Sequence, residues 1–147
     1  FAGSKDSLDV LLVSGLDVFS QNIETVDRLT YFVRDPRAGY RQTLSMLEHS
    51  SKKNMITKSG MMLGLGETTT EVVATMQDLC SAGVSILTLG QYLRPTKYHV
   101  AMKRFVTPEE FHRYEQIGFE LGFKEVVAGP LVRSSYRAER SFLSLSN

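Results

Sequence analysis

Apolar positions along the chain switch from helical to extended spacing and back several times. SLDVLLVSG (7–15) has helical spacing and is closed by Gly15, and LDVFS (16–20) reads as a short strand. The polar stretch QNIETVDRL (21–29) follows. GYRQTLSMLEHSSKK (39–53) is next, a helix with Leu44 and Leu47 on one face. TKSGMMLGLG (57–66) is a strand running into glycines. Thr68 and Glu71 have the spacing of a capping box, in which each side chain satisfies a backbone N–H at the helix start. The helix they open turns Val72, Val73, Met76, Leu79 and Cys80 inward, and Gly83 ends it. VSILTLGQYL (84–93) is largely apolar, as in a strand covered on both faces. TPEEFHRYEQIGFELG (107–122) has Thr107 to cap, Pro108 for the first helical position, Glu110 to complete the box and Gly122 to close. FKEVVAG (123–129) is the last strand, and a short terminal helix is expected from Ala138 to Leu145.

Four strands alternating with helices specify parallel βα units. A four-stranded parallel sheet alone is small and leaves its first strand with a bare edge. Half of a larger barrel accounts for that edge and for a first residue, Phe1, that is not methionine, so further sequence is expected upstream. The alternative is a complete small α/β sandwich. In βα barrels the chemistry collects on the loops after the strands. Here those loops carry Gln21, Asn22 and Glu24; Gly64, Gly66 and Glu67; Gln91, Tyr92, Arg94 and Thr96; and Arg133, Ser134 and Ser135.

Charge narrows the partners. Seventeen Lys+Arg against sixteen Asp+Glu, net +1, leave no electrostatic footprint for nucleic acid. No apolar run is long enough to span a membrane, and FAGSKDSLDV lacks the pattern of a signal peptide. One cysteine excludes a disulfide within the chain and suits a reducing compartment; at helical spacing in EVVATMQDLC, Cys80 reads as packing. His49, His99 and His112 have no metal-site spacing, and no serine has a nucleophile elbow. GLGETT departs from the dinucleotide fingerprint at Thr69, so its glycines suit either tight turns or close approach to a ligand. Asn22 and Glu24 suit ribose hydroxyls, but equally a turn or helix cap. Arg94, Lys97, His99, Lys103 and Arg104 surround Tyr92 and Tyr98; such a run is a solvated face or a dock for an acidic protein.

SGLDVFSQNIETVDRL, RDPRAGYRQTL, TKSGMMLGLGET, ILTLGQYLRPT, the TPEEF helix and GPLVRSSY together resemble the lipoyl synthase family, in that order and from about Phe1 to Ala138. The resemblance is to the C-terminal half of such an enzyme, a member of the radical S-adenosylmethionine (SAM) superfamily. It implies an α/β fold, the C-terminal half of a partial (β/α)6 TIM-like barrel over residues 1–137, with 138–147 a tail. It implies insertion of sulfur at C6 and C8 of an octanoyl chain attached to a lysine of a carrier protein. The implied cofactors are SAM and two [4Fe-4S] clusters, one cleaving SAM and an auxiliary one donating sulfur. The auxiliary cluster takes a serine ligand from the RSSY motif, matched here by Ser134, with Ser135 the fallback. Arg133 beside it is assigned to stabilising the ionised oxygen or orienting substrate. The resemblance places Asn22 and Glu24 at the SAM ribose. Gly60, Met62, Gly64, Glu67, Leu89, Gly90 and Gln91 fall near the adenine, and Arg41 and Lys58 are assigned to the SAM carboxylate.

Implied partners are octanoylated lipoyl-carrier domains (2-oxoacid dehydrogenase E2 subunits and the glycine-cleavage H protein) and an electron donor such as ferredoxin or flavodoxin. A soluble protein of a bacterial cytoplasm, or of a mitochondrial or plastid matrix, is expected. The family's cysteine motifs lie upstream of the matched region, so this chain alone is expected to assemble no cluster and to be inactive by itself. Two further readings stay open: a truncated, non-catalytic module that keeps a carrier-docking surface, and a degenerate gene remnant.

Overall fold

The sequence places its strongest helix signals where strands must be connected. In the computed structural model, which describes residues 17–33 and 39–132, both capping boxes form. Thr68 accepts from the Glu71 N–H and opens a helix over Thr69–Ser81, and Thr107 accepts from the Glu110 N–H and opens one over Pro108–Leu121. The second ends at Gly122, whose φ of 116° a side chain would oppose. The strands are β1 (Val18–Ser20), β2 (Ile56–Leu63), β3 (Ile86–Gln91) and β4 (Glu125–Gly129). A 3-10 turn at Asp27–Leu29 leads to α1 (Thr30–Val33); α2 is Tyr40–Lys52, and the two capped helices are α3 and α4. The expected helices at 7–15 and 138–145 lie outside the described residues.

All strand pairs are parallel and the order is β1-β2-β3-β4. A sequential order with helices on one face is the winding of a barrel; a doubly wound sheet reverses its order at a switch point. Among the described residues β1 and β4 do not pair with each other, so the sheet is an unclosed part of a TIM-like barrel. Alternation sorts the two faces. Met61, Leu63, Leu87, Leu89 and Val126 join Leu47, Val72, Met76, Leu79, Phe111 and Tyr114 in the core between sheet and helices. Leu47 faces that core as expected, while Leu44 is only partly buried and Tyr40, Thr43 and Ser50 complete the buried face of α2.

The opposite face carries polar and small residues beside Ile86 and Met62. Lys58, Ile86 and Glu125 are in register across β2, β3 and β4; Gly60 aligns with Thr88, and Met62 with Gly90 and Gly129. Lys58, Thr88 and Glu125 are all buried. This inner face leads up to the strand ends.

Candidate functional site

At the end of β1 the ladder breaks and then resumes. Gln21 N–H donates to the Lys58 carbonyl, Ile23 N–H reaches the Ser59 hydroxyl at 3.0 Å, and Glu24 re-enters the sheet against Met61. Glu24 does so with φ 73°, donating to the Gly60 carbonyl at 3.0 Å and accepting from Met62 N–H at 2.9 Å. The detour drives Ile23 into the core and leaves two buried oxygens, Asn22 Oδ1 and Thr25 Oγ1, without a hydrogen-bond partner among the described residues.

After β2, Gly64 and Gly66 both have positive φ. The Glu67 carboxylate folds back and accepts the N–H groups of Gly64 (3.0 Å) and Leu65 (2.9 Å), so this loop supplies its own anion. Arg28 joins the first loop to the second. Its guanidinium forms a fork on Glu71, with Nε to Oε2 at 2.7 Å and Nη2 to Oε1 at 2.9 Å, and Nη2 also donates to the Gly66 carbonyl at 3.0 Å. Arg28, with the Thr68 N–H helping, holds the Glu71 carboxyl at about 2, below its ordinary range. An Arg28→Ala variant is expected to return the Glu71 pKa part of the way toward the usual carboxylate value, leaving the share due to Thr68. A carboxyl NMR titration reads it, and an unmoved Glu71 would show that the fork does not form.

At the end of β3, Gln91 is fully occupied. Its amide donates to the Tyr92 and Arg104 carbonyls, each at 3.0 Å, and accepts from Val106 N–H at 2.8 Å. With Lys103 N–H on the Gly64 carbonyl at 2.7 Å, this fixes the 92–106 strap across the tops of β2 and β3. Arg104 forks onto Glu110, whose carboxyl it holds at about 2, and Arg94 donates to the Lys97 and His99 carbonyls of its own loop. Between strap, sheet and the turn after β4 lies a cleft of about 490 Å³, lined by Met62, Gln91, Leu93, Arg94, Pro95, Pro130, Leu131 and Val132.

Over 97% of its length the chain aligns with lipoyl synthases. It is 58% identical to those of Ectopseudomonas mendocina (144 residues) and Thermus thermophilus (145 residues), and 55% identical to that of Francisella philomiragia (144 residues). The chain is a homologue of lipoyl synthase. It spans less than half the length of these relatives: 41%, 45% and 44% of them in turn. No family model matches the chain.

The positions that the lipoyl synthase family points to are brought together only in part. Asn22, Glu24, Gly60, Met62, Gly64, Glu67, Gly90 and Gln91 share the strand-end rim. Leu89 is at the same height, but its side chain is in the core. Lys58 lies two positions below Gly60 on the inner face. Arg41 sits elsewhere, in an outer groove between α2 and α3 with Ser45, Glu48 and Asp78, 4.0 Å from Asp27. Arg133, Ser134 and Ser135 lie outside the described residues. Among the described residues no three His, Cys, Asp or Glu side chains group as metal ligands, and no helix is long and apolar enough to cross a membrane.

Three residues escaped the sequence reading. Arg28 left no usable signal, because its partner is 43 positions away. Thr25 is hidden inside NIET. Glu125 did leave one: a lone charge at the start of the apolar strand EVVAG.

Proposed function

We propose that this chain is the part of a lipoyl synthase that holds the adenosyl end of SAM and carries the RSSY motif. The enzyme inserts sulfur at C6 and C8 of a protein-bound octanoyl-lysine. Asn22 is the observation that supports this best. A polar atom buried without a partner costs roughly 1–3 kcal/mol, which a ribose hydroxyl donating to Oδ1 would offset. The apolar cleft shares Met62 with the residues that pair to Glu24, and its walls suit a flat purine excluded from water. Bound there, SAM supplies the radical chemistry. The chain's own residues hold its ribose at Asn22 and Glu24 and shape the cavity through the Glu67-closed turn. Ser134 or Ser135 offers a hydroxyl to a cluster whose thiolates come from elsewhere.

The chain's own residues do not suit a [4Fe-4S] cluster. The single cysteine, Cys80, donates its thiol to the Leu121 carbonyl at 3.1 Å, where α3 and α4 end. After anaerobic reconstitution with iron and sulfide the chain is expected to hold far less than one cluster. Iron approaching about four per chain would defeat that expectation.

Binding is the direct test. Calorimetry with S-adenosylhomocysteine is expected to show binding to the chain that Asn22→Ala weakens about tenfold, the equivalent of one good hydrogen bond. The same variant should leave Tm unchanged or raised, since an unpaired atom is removed. Loss of stability in step with affinity would make Asn22 a structural cap, and a parent chain that binds nothing would sink the adenosyl reading.

A second reading, a carrier-docking module, has its own support on the strap. Lys97 lies 5.2 Å from the ring centre of Tyr98, which is 86% exposed, and Leu93 and Phe105 are exposed beside them. Arg94 and Arg104 are committed within the fold, which narrows the basic run to Lys97, His99 and Lys103. Binding to an octanoylated carrier that weakens with salt, and is lost in a Lys97→Glu, Lys103→Glu variant, would favour this reading.

A further inference from the structure

Gly90 differs from the glycines of the β2 turn. It sits in regular strand, so only space decides what it tolerates. A Cβ there would lie 2.1 Å from the Val132 carbonyl oxygen and 3.2 Å from its carbon. Both are backbone atoms, which cannot swing aside as a side chain would. Gly90 is on the inner face, opposite Leu89 and Gln91, and pairs in register with Gly129 of β4. Two adjacent positions therefore lack side chains. The chain uses that gap: after Gly129 it turns at Pro130, Val132 N–H returns to the Gly129 carbonyl at 3.3 Å, and the Val132 carbonyl drops onto Gly90.

We propose that Gly90 is a positioning residue, a seat that fixes the path of the chain leaving β4 and so the point from which Arg133, Ser134 and Ser135 begin. The notch is filled by this chain's own backbone and is not an open approach for a ligand. What the seat does for catalysis rests on the reading of Arg133–Tyr136 as the cluster-facing motif; the seat itself does not. It also forms one side of the cleft, since Leu131 and Val132 line it opposite Leu93 and Pro95.

The test is Gly90→Ala in two backgrounds, the full 147-residue chain and a chain ending at Leu131. In the full chain the substitution is expected to lower Tm by several degrees and to speed amide exchange in a 129–132 peptide by about tenfold, well beyond any increase in peptides from α2 and α3. A merely structural loss would speed exchange in all of them alike. In the shortened chain the carbonyl is gone and the same substitution should be neutral. Equal destabilisation at both lengths, or unchanged exchange at 129–132, overturns the seat. If Gly90→Ala fails to fold in the full chain, folding restored by the shortening supports the seat and failure at both lengths overturns it. None of these readouts involves the serines or a cluster, so a failed cluster-ligand reading leaves the seat standing and a failed seat leaves that reading untouched. Gly39→Ala, with nothing among the described residues within 4 Å of its Cβ, is the control that should be silent throughout.

Discussion

Between about pH 5 and pH 8.5 the parent chain is expected to lose roughly 4 kcal/mol of stability that a Glu125→Gln variant keeps. Glu125 starts β4 on the inner face and is 1% exposed. One carboxyl oxygen accepts the Val126 N–H at 3.0 Å and the other has no partner among the described residues. Burial disfavours the charged form and pushes the carboxyl up to about 8, the Val126 bond opposing it only in part. An unfolded Glu titrates near ~4.3. Over the interval between those values the folded chain keeps a proton that the unfolded chain has lost. Raising pH therefore favours unfolding: the stability tied to this group is complete below the unfolded value and is lost as pH climbs through the folded one. Glutamine keeps the acceptor for Val126 and cannot ionise. Urea midpoints for both proteins across the range give the answer, and parallel pH profiles would mean that Glu125 is not buried as a neutral acid.

How much of this was legible in the sequence depends on how local the cause was. The capping boxes at Thr68 and Thr107 were readable because each is closed within four residues. The strands were readable because β2 and β3 are buried on both faces and therefore written mostly in apolar or small residues, Lys58 and Gln91 excepted. The loops after β1, β2 and β3 do meet at one rim, and the loop with Arg133, Ser134 and Ser135 lies outside the described residues; the work done by the side chains was not visible. Glu67 looks like a ligand residue in the string GLGE, yet its oxygens are spent on the turn's own N–H groups. Gln91 looks free in LGQY, yet it anchors a strap whose bonded atoms are as far away as Val106. Each of these bonds joins residues whose separation is set by the three-dimensional path of the strap. Arg41 is the converse case: it is near Asn22 in sequence, but α2 carries it to the outside of the helical layer.

Gly64→Ala is expected to destabilise the chain by about 3 kcal/mol or more, and Gly66→Ala by only about 1. The two glycines have nearly the same backbone, φ 100° and 105°, and so share the conformational cost of a side chain there. They differ in what the new methyl would meet. At Gly66 it would lie 3.5 Å from Lys103 Cγ, an ordinary contact with a flexible side chain. At Gly64 it would lie 2.4 Å from Gln91 Nε2 and 2.6 Å from the Arg104 carbonyl oxygen. Relieving that overlap pushes the strap off β2, and with it go the bonds that hold it: Gln91 to Arg104, Gln91 to Val106, and Lys103 to Gly64, each worth roughly 1 kcal/mol. Because Leu93, Arg94 and Pro95 form one side of the cleft, Gly64→Ala should also weaken S-adenosylhomocysteine binding, whereas Gly66→Ala should weaken it little. Denaturation midpoints separate the two causes. If both variants lose the same stability, backbone conformation alone governs this turn and the strap is not anchored through Gly64. If they differ as expected, the glycine in LGLGE is there to let the β3–α4 connection cross over the end of β2, and the cleft walls depend on that crossing.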